Sequence, residues 1–363
     1  MMKNVQKNRL YINLLLIGMV IIGTINTLIY KYQNTTIIDG VTFIHPYMQG
    51  LCMFIGESIC LVFYVLFNMK AEQDPNKQTG GFKRLAIPAL FDVITSSLQN
   101  FALNFIPSSI FQMIRGGLMI VTAAFSKFVL QKKLSLQQLI GILLAILGIF
   151  IVGLSNFIFR EQKKSDFSWE IKLISIFLII LSLFTQAISY IYEEKLFQQF
   201  NYHVFYVVGM EGIWGLLTFG ILIPILNFLP CNFHDGCVFR NNKGYFESTD
   251  LFFQQLGSDL WLTLSVILGI FSISLYNIFG VNVTKHASSL TRSVVDTIRI
   301  IFIWAIGLIV TATTSRVWEN TSYLANLIEL IGFAILVIGN LIYKEILIIK
   351  YLQSKNQVLL VEK

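Results

Sequence analysis

The sequence predicts an all-α membrane protein of ten transmembrane helices, folded as two inverted five-helix repeats. Hydrophobic residues make up 55% of the 363-residue chain and charged residues only 13%. The mean hydropathy of +0.69 lies outside the range of ordinary soluble domains. Ten apolar windows each approach the ~20 residues that a helix needs to cross a bilayer. A division at about residue 165 leaves five windows on each side, so the second half enters the membrane from the opposite face, as an inverted repeat requires.

The windows fall near residues 10–30, 47–69, 85–105, 109–130, 135–156, 171–192, 204–229, 260–282, 289–313 and 324–346. Residues 1–165 hold spans one to five, and residues 166–363 hold spans six to ten with a long loop at 230–259. Lysine and arginine resist translocation, so they collect on the cytosolic side. With the N-terminus in the cytosol, that side holds fifteen of them, from Lys3 to Lys363, against seven opposite: Lys31, Arg160, Lys163, Lys164, Arg240, Lys243 and Arg316. Both termini are therefore expected to be cytosolic. The net charge of +7 follows from this topology, and no nucleic-acid partner is read from it. Basic residues precede the first window as in a signal sequence, but the apolar run is long and no small-x-small site follows, so it reads as a retained first helix.

Repetition shows in matched positions. Ser108 and Ser109 open span four, and Ser288 and Ser289 open span nine. Gly141 and Gly148 in span five, like Gly332 and Gly339 in span ten, are seven residues apart, which puts each pair on one face where backbones can approach closely. Spans two and seven each carry an acid beside a glycine, Gly56-Glu57 and Glu211-Gly212.

Seven charges fall well inside windows: Glu57, Asp92, Arg115, Glu211, Arg292, Asp296 and Arg299. At roughly 2.5–3.5 kcal/mol each, turning all of them to lipid would cost on the order of 20 kcal/mol. They are expected to face inward, paired or hydrated. Ser289, Arg292, Asp296 and Arg299 step by three, four and three, so they share a helix face and Asp296 can pair with either arginine. Gln112, Arg115, Met119, Thr122 and Ser126 form a like stripe in span four. Asp92, Thr95, Ser96, Gln99 and Asn100 polarise span three, Ser265, Gly269, Ser272 and Tyr276 span eight, and Thr24, Asn26 and Thr27 span one. These faces can line a shared cavity. The alternative is a self-neutralising Arg292–Asp296–Arg299 triad that locks span nine to a neighbour. Glu57 and Glu211 have no basic residue one turn away and are candidates for carrying protons, against quiet core carboxyls or partners of Arg115. His45 and His203 stand at membrane boundaries and read as interfacial caps.

Cys52 and Cys60 fall within span two, whereas Cys231 and Cys237 sit in the long non-cytosolic loop, where a disulfide can form if the compartment is oxidising. Asn34 is a candidate glycosylation site on the same side. Zinc-helix, nucleophile-elbow and P-loop motifs are all missing from the sequence, so no enzyme, metal site or cofactor is expected.

Five runs carry a resemblance: GTINTLIYKY at 23–32, HPYMQGLCMFIGES at 45–58, FALNFIPSSIFQMIRGG at 101–117, YEEKLFQQFNYHVFYVVGMEGIWG at 192–215 and TRSVVDTIRIIFIWAIGL at 291–308. In order and over nearly the whole chain, they resemble the drug/metabolite transporter superfamily, in particular a nucleotide-sugar-transporter-like branch of solute carrier family 35, subfamily F. The resemblance implies two inverted five-helix repeats, a substrate cavity between them and alternating access. It points to Gln112, Arg115, Arg292 and Asp296 on the paired central helices. Val358-Leu359-Leu360 lacks the upstream acid of a dileucine sorting signal.

The expected function is secondary transport of a small organic solute, charged or zwitterionic, across an intracellular membrane, endolysosomal or other endomembrane, with the mitochondrion as the alternative. Asp92, Gln99, Gln112, Arg115, Arg292, Asp296 and Arg299 are the candidate binding or gating residues. The competing expectation is a structural or assembly subunit of a larger membrane complex, built on a transporter fold. Lipid is the expected surroundings, and a homodimer or a membrane-complex partner is compatible with either role.

Overall fold

The computed structural model describes residues 2–70, 74–75, 77–78, 80–103, 111, 114–131, 135–158, 169–231, 238–240, 243–314, 316, 318–319 and 322–343. Eleven named helices among the described residues are α1 (Met2–Asn34), α2 (Pro46–Leu66), α3 (Ala86–Leu103), α4 (Leu118–Val129), α5 (Leu136–Ile158), α6 (Trp169–Gln199), α7 (Val204–Phe228), the short α8 (Thr249–Ser258), α9 (Leu260–His286), α10 (Ser289–Thr313) and α11 (Tyr323–Tyr343). A helical turn at 114–116 precedes α4. Eight of these helices, α1, α2, α5, α6, α7, α9, α10 and α11, are long and apolar enough to cross a membrane. The other two expected spans correspond to α3, which is followed by undescribed residues, and α4. The described part of α3 has 18 residues, with Asp92, Gln99 and Asn100 lowering its hydropathy, and that of α4 has 12.

Helix α1 runs from Met2 to Asn34 rather than over 10–30, α9 continues to His286 rather than 282, and two further features differ from expectation. Helix α6 continues to Gln199 rather than stopping at 192, because Glu193 and Glu194 are buried at 3% and 5% exposure and have partners within the bundle. The loop at 230–259 is not plain coil. It holds an antiparallel hairpin of β3 (Val238–Arg240) and β4 (Lys243–Tyr245), followed by α8. A second hairpin, β1 (Ile37–Ile38) and β2 (Val41–Thr42), turns through Asp39 and Gly40 between α1 and α2, and both turn residues have positive φ.

Helix starts follow local capping chemistry. The Ser288 hydroxyl accepts from Thr291 N at 3.0 Å to open α10, and Asp259 accepts from Trp261 N at 2.7 Å to open α9. His203 caps α7 as expected, its Nδ1 accepting from Phe205 N at 3.3 Å. Burial, reinforced by Lys285, holds its imidazole below the ordinary histidine value, which favours the neutral ring that can accept.

The cap expectation fails for His45. Its side chain makes no cap bond; instead Nδ1 lies 2.6 Å from Glu247 Oε1 and Nε2 lies 3.0 Å from Gln255 Oε1. The cap of α2 is Glu247, whose Oε2 accepts from Tyr47 N and Met48 N, both at 3.1 Å. A carboxylate at a helix N-terminus is favoured by the exposed amides there. The long loop is thus fastened to the start of α2.

Glycines set the closest helix contacts. In α5 a Cβ on Gly141 would stand 2.6 Å from Gly339 O, and one on Gly148 would stand 2.5 Å from Gly332 O. The two seven-residue glycine pairs therefore mesh α5 against α11 in antiparallel register. Gly209, Gly212 and Gly215 of α7 similarly receive Leu61, Glu57 and Phe54 of α2. Beyond these, α1 packs on α9, α3 on α6, and α4 on α10.

Cys231 is disulfide-bonded, whereas Cys52 and Cys60 are free. Cys237 lies outside the described residues, as do Gln112, Ser108, Ser109 and residues 358–360.

Candidate functional site

A cavity of about 470 Å³ runs between the helices. At one end it reaches Thr35, Trp318 and Glu319, and since Thr35 is exposed, this end meets the surface. Toward the other end the lining stops at Tyr190 and Arg292. Helices α1, α2, α3, α5, α6, α9, α10 and α11 and the turn at 114–116 all contribute.

Asp92, Gln99, Arg115, Arg292 and Arg299 line this space, as the stripes of spans three, four and nine predict. Thr95, Ser96 and Asn100 of α3, Tyr276 of α9 and Asn26 and Thr27 of α1 join them. Asp296 stands just behind the wall, 6% exposed. Its Oδ2 accepts from the Tyr190 hydroxyl at 3.0 Å and its Oδ1 from the Tyr276 hydroxyl.

Of the two expected partners of Asp296, only one takes the role. Arg299 Nη2 lies 3.8 Å from its Oδ1, but Arg292 turns to Glu193 of α6, with Nη1 2.7 Å from Oε2. A closed Arg292–Asp296–Arg299 triad does not form. Each guanidinium instead stacks on a tyrosine: Arg292 lies 3.9 Å from the centre of the Tyr190 ring, and Arg299 4.7 Å from that of Tyr276. One carboxylate thus orients two aromatic rings and both arginines follow. Small neighbours make room for them, since a Cβ on Gly23 would stand 2.6 Å from Arg299 Nη1 and one on Gly280 2.7 Å from Arg292 Nε.

A line of amides extends this network across the cavity. Gln99 Nε2 donates to Gln186 Oε1 at 3.3 Å, and Gln186 Nε2 donates to the Tyr190 oxygen at 3.2 Å. The line links α3 through α6 to Asp296 on α10.

Glu57 and Glu211 do not line the cavity. Both are buried, at 2% and 8% exposure, and Glu57 Oε2 and Glu211 Oε1 have no hydrogen-bond partner among the described residues. Asn277, which does line the cavity, donates through Nδ2 to Glu57 Oε1 and joins the two regions. Glu57, Asp92, Glu193 and Glu211 all lie within the electrostatic reach of Arg292.

Several residues of the site carry no strong sequence signal. Lys31 Nζ lies 2.7 Å from Glu319 Oε1 at the open end and donates to Trp318 O at 3.1 Å. Burial raises the Glu319 carboxyl above the ordinary glutamate value, and Lys31 opposes that rise. In α11, Glu329 accepts from Trp304 Nε1, and the Trp304 and Phe333 rings lie 5.1 Å apart. Opposite this mouth the bundle is closed by the Arg292–Glu193 pair, by Glu194, which accepts from Ser289 N at 2.8 Å, and by Lys285, which donates to Tyr202 O at 3.2 Å. At Asn34, the candidate glycosylation site, the side-chain Oδ1 accepts from Gln49 Nε2 at 2.9 Å inside the mouth.

Spanning helices around a charge-lined cavity define a multi-pass membrane protein of transporter type. Residues 12–235 match the family model for CRT-like, chloroquine-resistance transporter-like proteins. The chain belongs to this family. It is 32% identical over 337 residues to solute carrier family 35 member F6 of Homo sapiens, covering 90% of this chain and 86% of that protein, and likewise 32% identical to the Mus musculus protein. An uncharacterized Schizosaccharomyces pombe protein is 27% identical over 343 residues, covering 92% of this chain and 98% of its own length. A solved crystal structure superposes with a TM-score of 0.59 at 12% identity, over 92% of this chain and 96% of that one, which speaks for the fold alone. The chain is a membrane transporter in a family of solute carriers, not of enzymes.

Proposed function

We propose that this protein is a secondary transporter that carries a small charged or zwitterionic organic solute across an intracellular membrane by alternating access. The observation that carries this reading is a cavity ringed by charge, open at the Lys31–Glu319 end and shut at the Arg292–Glu193 end. A passage closed at one end and open at the other is what one state of an alternating carrier requires.

The helix pairings support two inverted repeats, residues 1–165 and 166–363. If span n of the first half corresponds to span n of the second, exchanging the halves maps the α1–α9 contact onto the α6–α3 contact. It also maps α2–α7, α4–α10 and α5–α11 onto themselves, and all of these contacts are made. In the proposed cycle the repeats rock about Asp92, Gln99, Arg115, Arg292, Asp296 and Arg299, with Gln112 added from the family resemblance. Both termini face the cytosol, so the open mouth faces the lumen, where a Cys231–Cys237 disulfide is suited to an oxidising compartment. Glu57 and Glu211 carry the coupling proton in this reading, which the Asn277 bond from the cavity wall to Glu57 supports. Charged groups left open toward the cavity disfavour the alternative role as a structural subunit of a membrane complex.

Purified protein in sealed vesicles with a protonophore-sensitive pH gradient tests the reading. Gradient-dependent uptake that Glu57→Gln and Glu211→Gln reduce is the expected outcome; gradient dependence unaltered in both variants removes the proton assignment.

A further inference from the structure

Arg115 stands apart from the other cationic groups of the cavity. Lys31 is paired with Glu319, Arg292 with Glu193, and Arg299 shares Asp296 at 3.8 Å. No described carboxylate lies within ion-pair distance of Arg115, and its aromatic contact, Phe111 at 5.5 Å, neutralises nothing. It lines the cavity and is half-buried. Arg299 lines the same cavity. Its Nε lacks a partner among the described residues, and the Asp296 oxygens already accept from two tyrosines.

Arg115 and Arg299 both line the cavity, one with no described carboxylate within ion-pair distance and the other only 3.8 Å from a carboxylate that already accepts two hydrogen bonds. A guanidinium inside the membrane without its own counter-ion is costly unless a mobile anion offsets it. Guanidinium groups present forked donors that match the oxygens of carboxylates and phosphates. We propose that Arg115 and Arg299 form an anion subsite, so that the solute carries a carboxylate or phosphate group seated between spans four and nine. This deepens the transport reading and rests on it for the word solute, while the subsite itself can be tested by binding alone.

Trp304 and Trp318 line the same cavity, so tryptophan fluorescence reports its occupancy. The full-length protein is titrated with inorganic phosphate, with acetate and, as a cation of similar size, with choline. A saturable change with phosphate or acetate, about tenfold or more weaker in Arg115→Gln and partly recovered in Arg115→Lys, is expected. Saturation by phosphate alone or by acetate alone assigns the head group. Equal anion affinity in Arg115→Gln, or saturation by choline and by neither anion, overturns the subsite. Should Arg115→Gln fail to fold, phenylglyoxal modification of the unaltered protein decides: slowing of the Arg115 adduct by either anion supports the subsite, and an unaltered rate with both overturns it. Anion binding at Arg115 without uptake of any solute leaves the subsite standing and removes transport. Uptake that Arg115→Gln does not alter does the reverse.

Discussion

At the residue scale, the site is held by buried charges whose partners come from other helices. The Arg292–Glu193 pair is 2.7 Å long, with both side chains about 5% exposed. Glu193→Gln leaves a buried guanidinium without its anion, and a loss of roughly 3–5 kcal/mol in stability is expected. A melting temperature equal to that of the unaltered protein would contradict this. Glu319 gives a pH dependence whose sign can be worked out. Its carboxyl is raised by burial, and Lys31 opposes that rise, so the folded chain holds this proton more tightly than the unfolded chain does. Its contribution to stability is greatest below the ordinary glutamate value and is lost as pH rises through the raised value. Melting curves of the unaltered protein and Glu319→Gln should diverge in that sense across the window; parallel pH profiles would refute it. Arg115, Asp92, Arg292 and Arg299 were legible in the sequence because a charge within an apolar window is rare and must turn inward. Glu193 was not, since the window closed one residue before it, and Lys31 and Glu319 stand at span ends where charges ordinarily report topology.

At the element scale, close helix contacts depend on missing side chains. Helices α5 and α11 meet at Gly141, Gly148, Gly332 and Gly339, where an added Cβ would press on the facing backbone. Gly339→Val must push the helices apart, and a cost of about 1–3 kcal/mol or more is expected from overpacking. Unchanged thermal stability would show that the interface is looser than described. The seven-residue spacing made this face legible. Spacing could not reveal that Glu247 caps α2 and binds His45, because these contacts join positions about 200 residues apart. The hairpin and α8 within residues 230–259 were hidden for a related reason, since a polar loop of that length shows no periodicity until something tethers it. Glu247→Gln should detach this loop, which faster amide exchange over residues 244–258 would register; unchanged exchange would place the tether elsewhere.

At the scale of the whole molecule, the family relation makes the chain a membrane transporter, and the proposed carrier has two halves that enclose one path. The composition made the membrane class legible, and the odd number of windows per half suggested inversion. The closed end was not legible, because it is made by the far ends of α6 and α10 together with the turn before α7. If the mouth works as a gate, joining its sides must stop transport. Lys31→Cys with Glu319→Cys should form a disulfide that abolishes uptake reversibly on reduction; uptake by the oxidised double variant would show that this end does not move.

The most direct measurement is the reactivity of a single cysteine inside the cavity, Thr27→Cys, toward a membrane-impermeant thiol reagent. It is applied separately to each side of sealed vesicles of one orientation. Thr27 lines the cavity on α1, and the native Cys52 and Cys60 are buried. Alternating access requires labelling from both sides, and saturating solute should shift the balance between them. Labelling from one side only, unaltered by any condition, contradicts a carrier and describes a fixed vestibule instead.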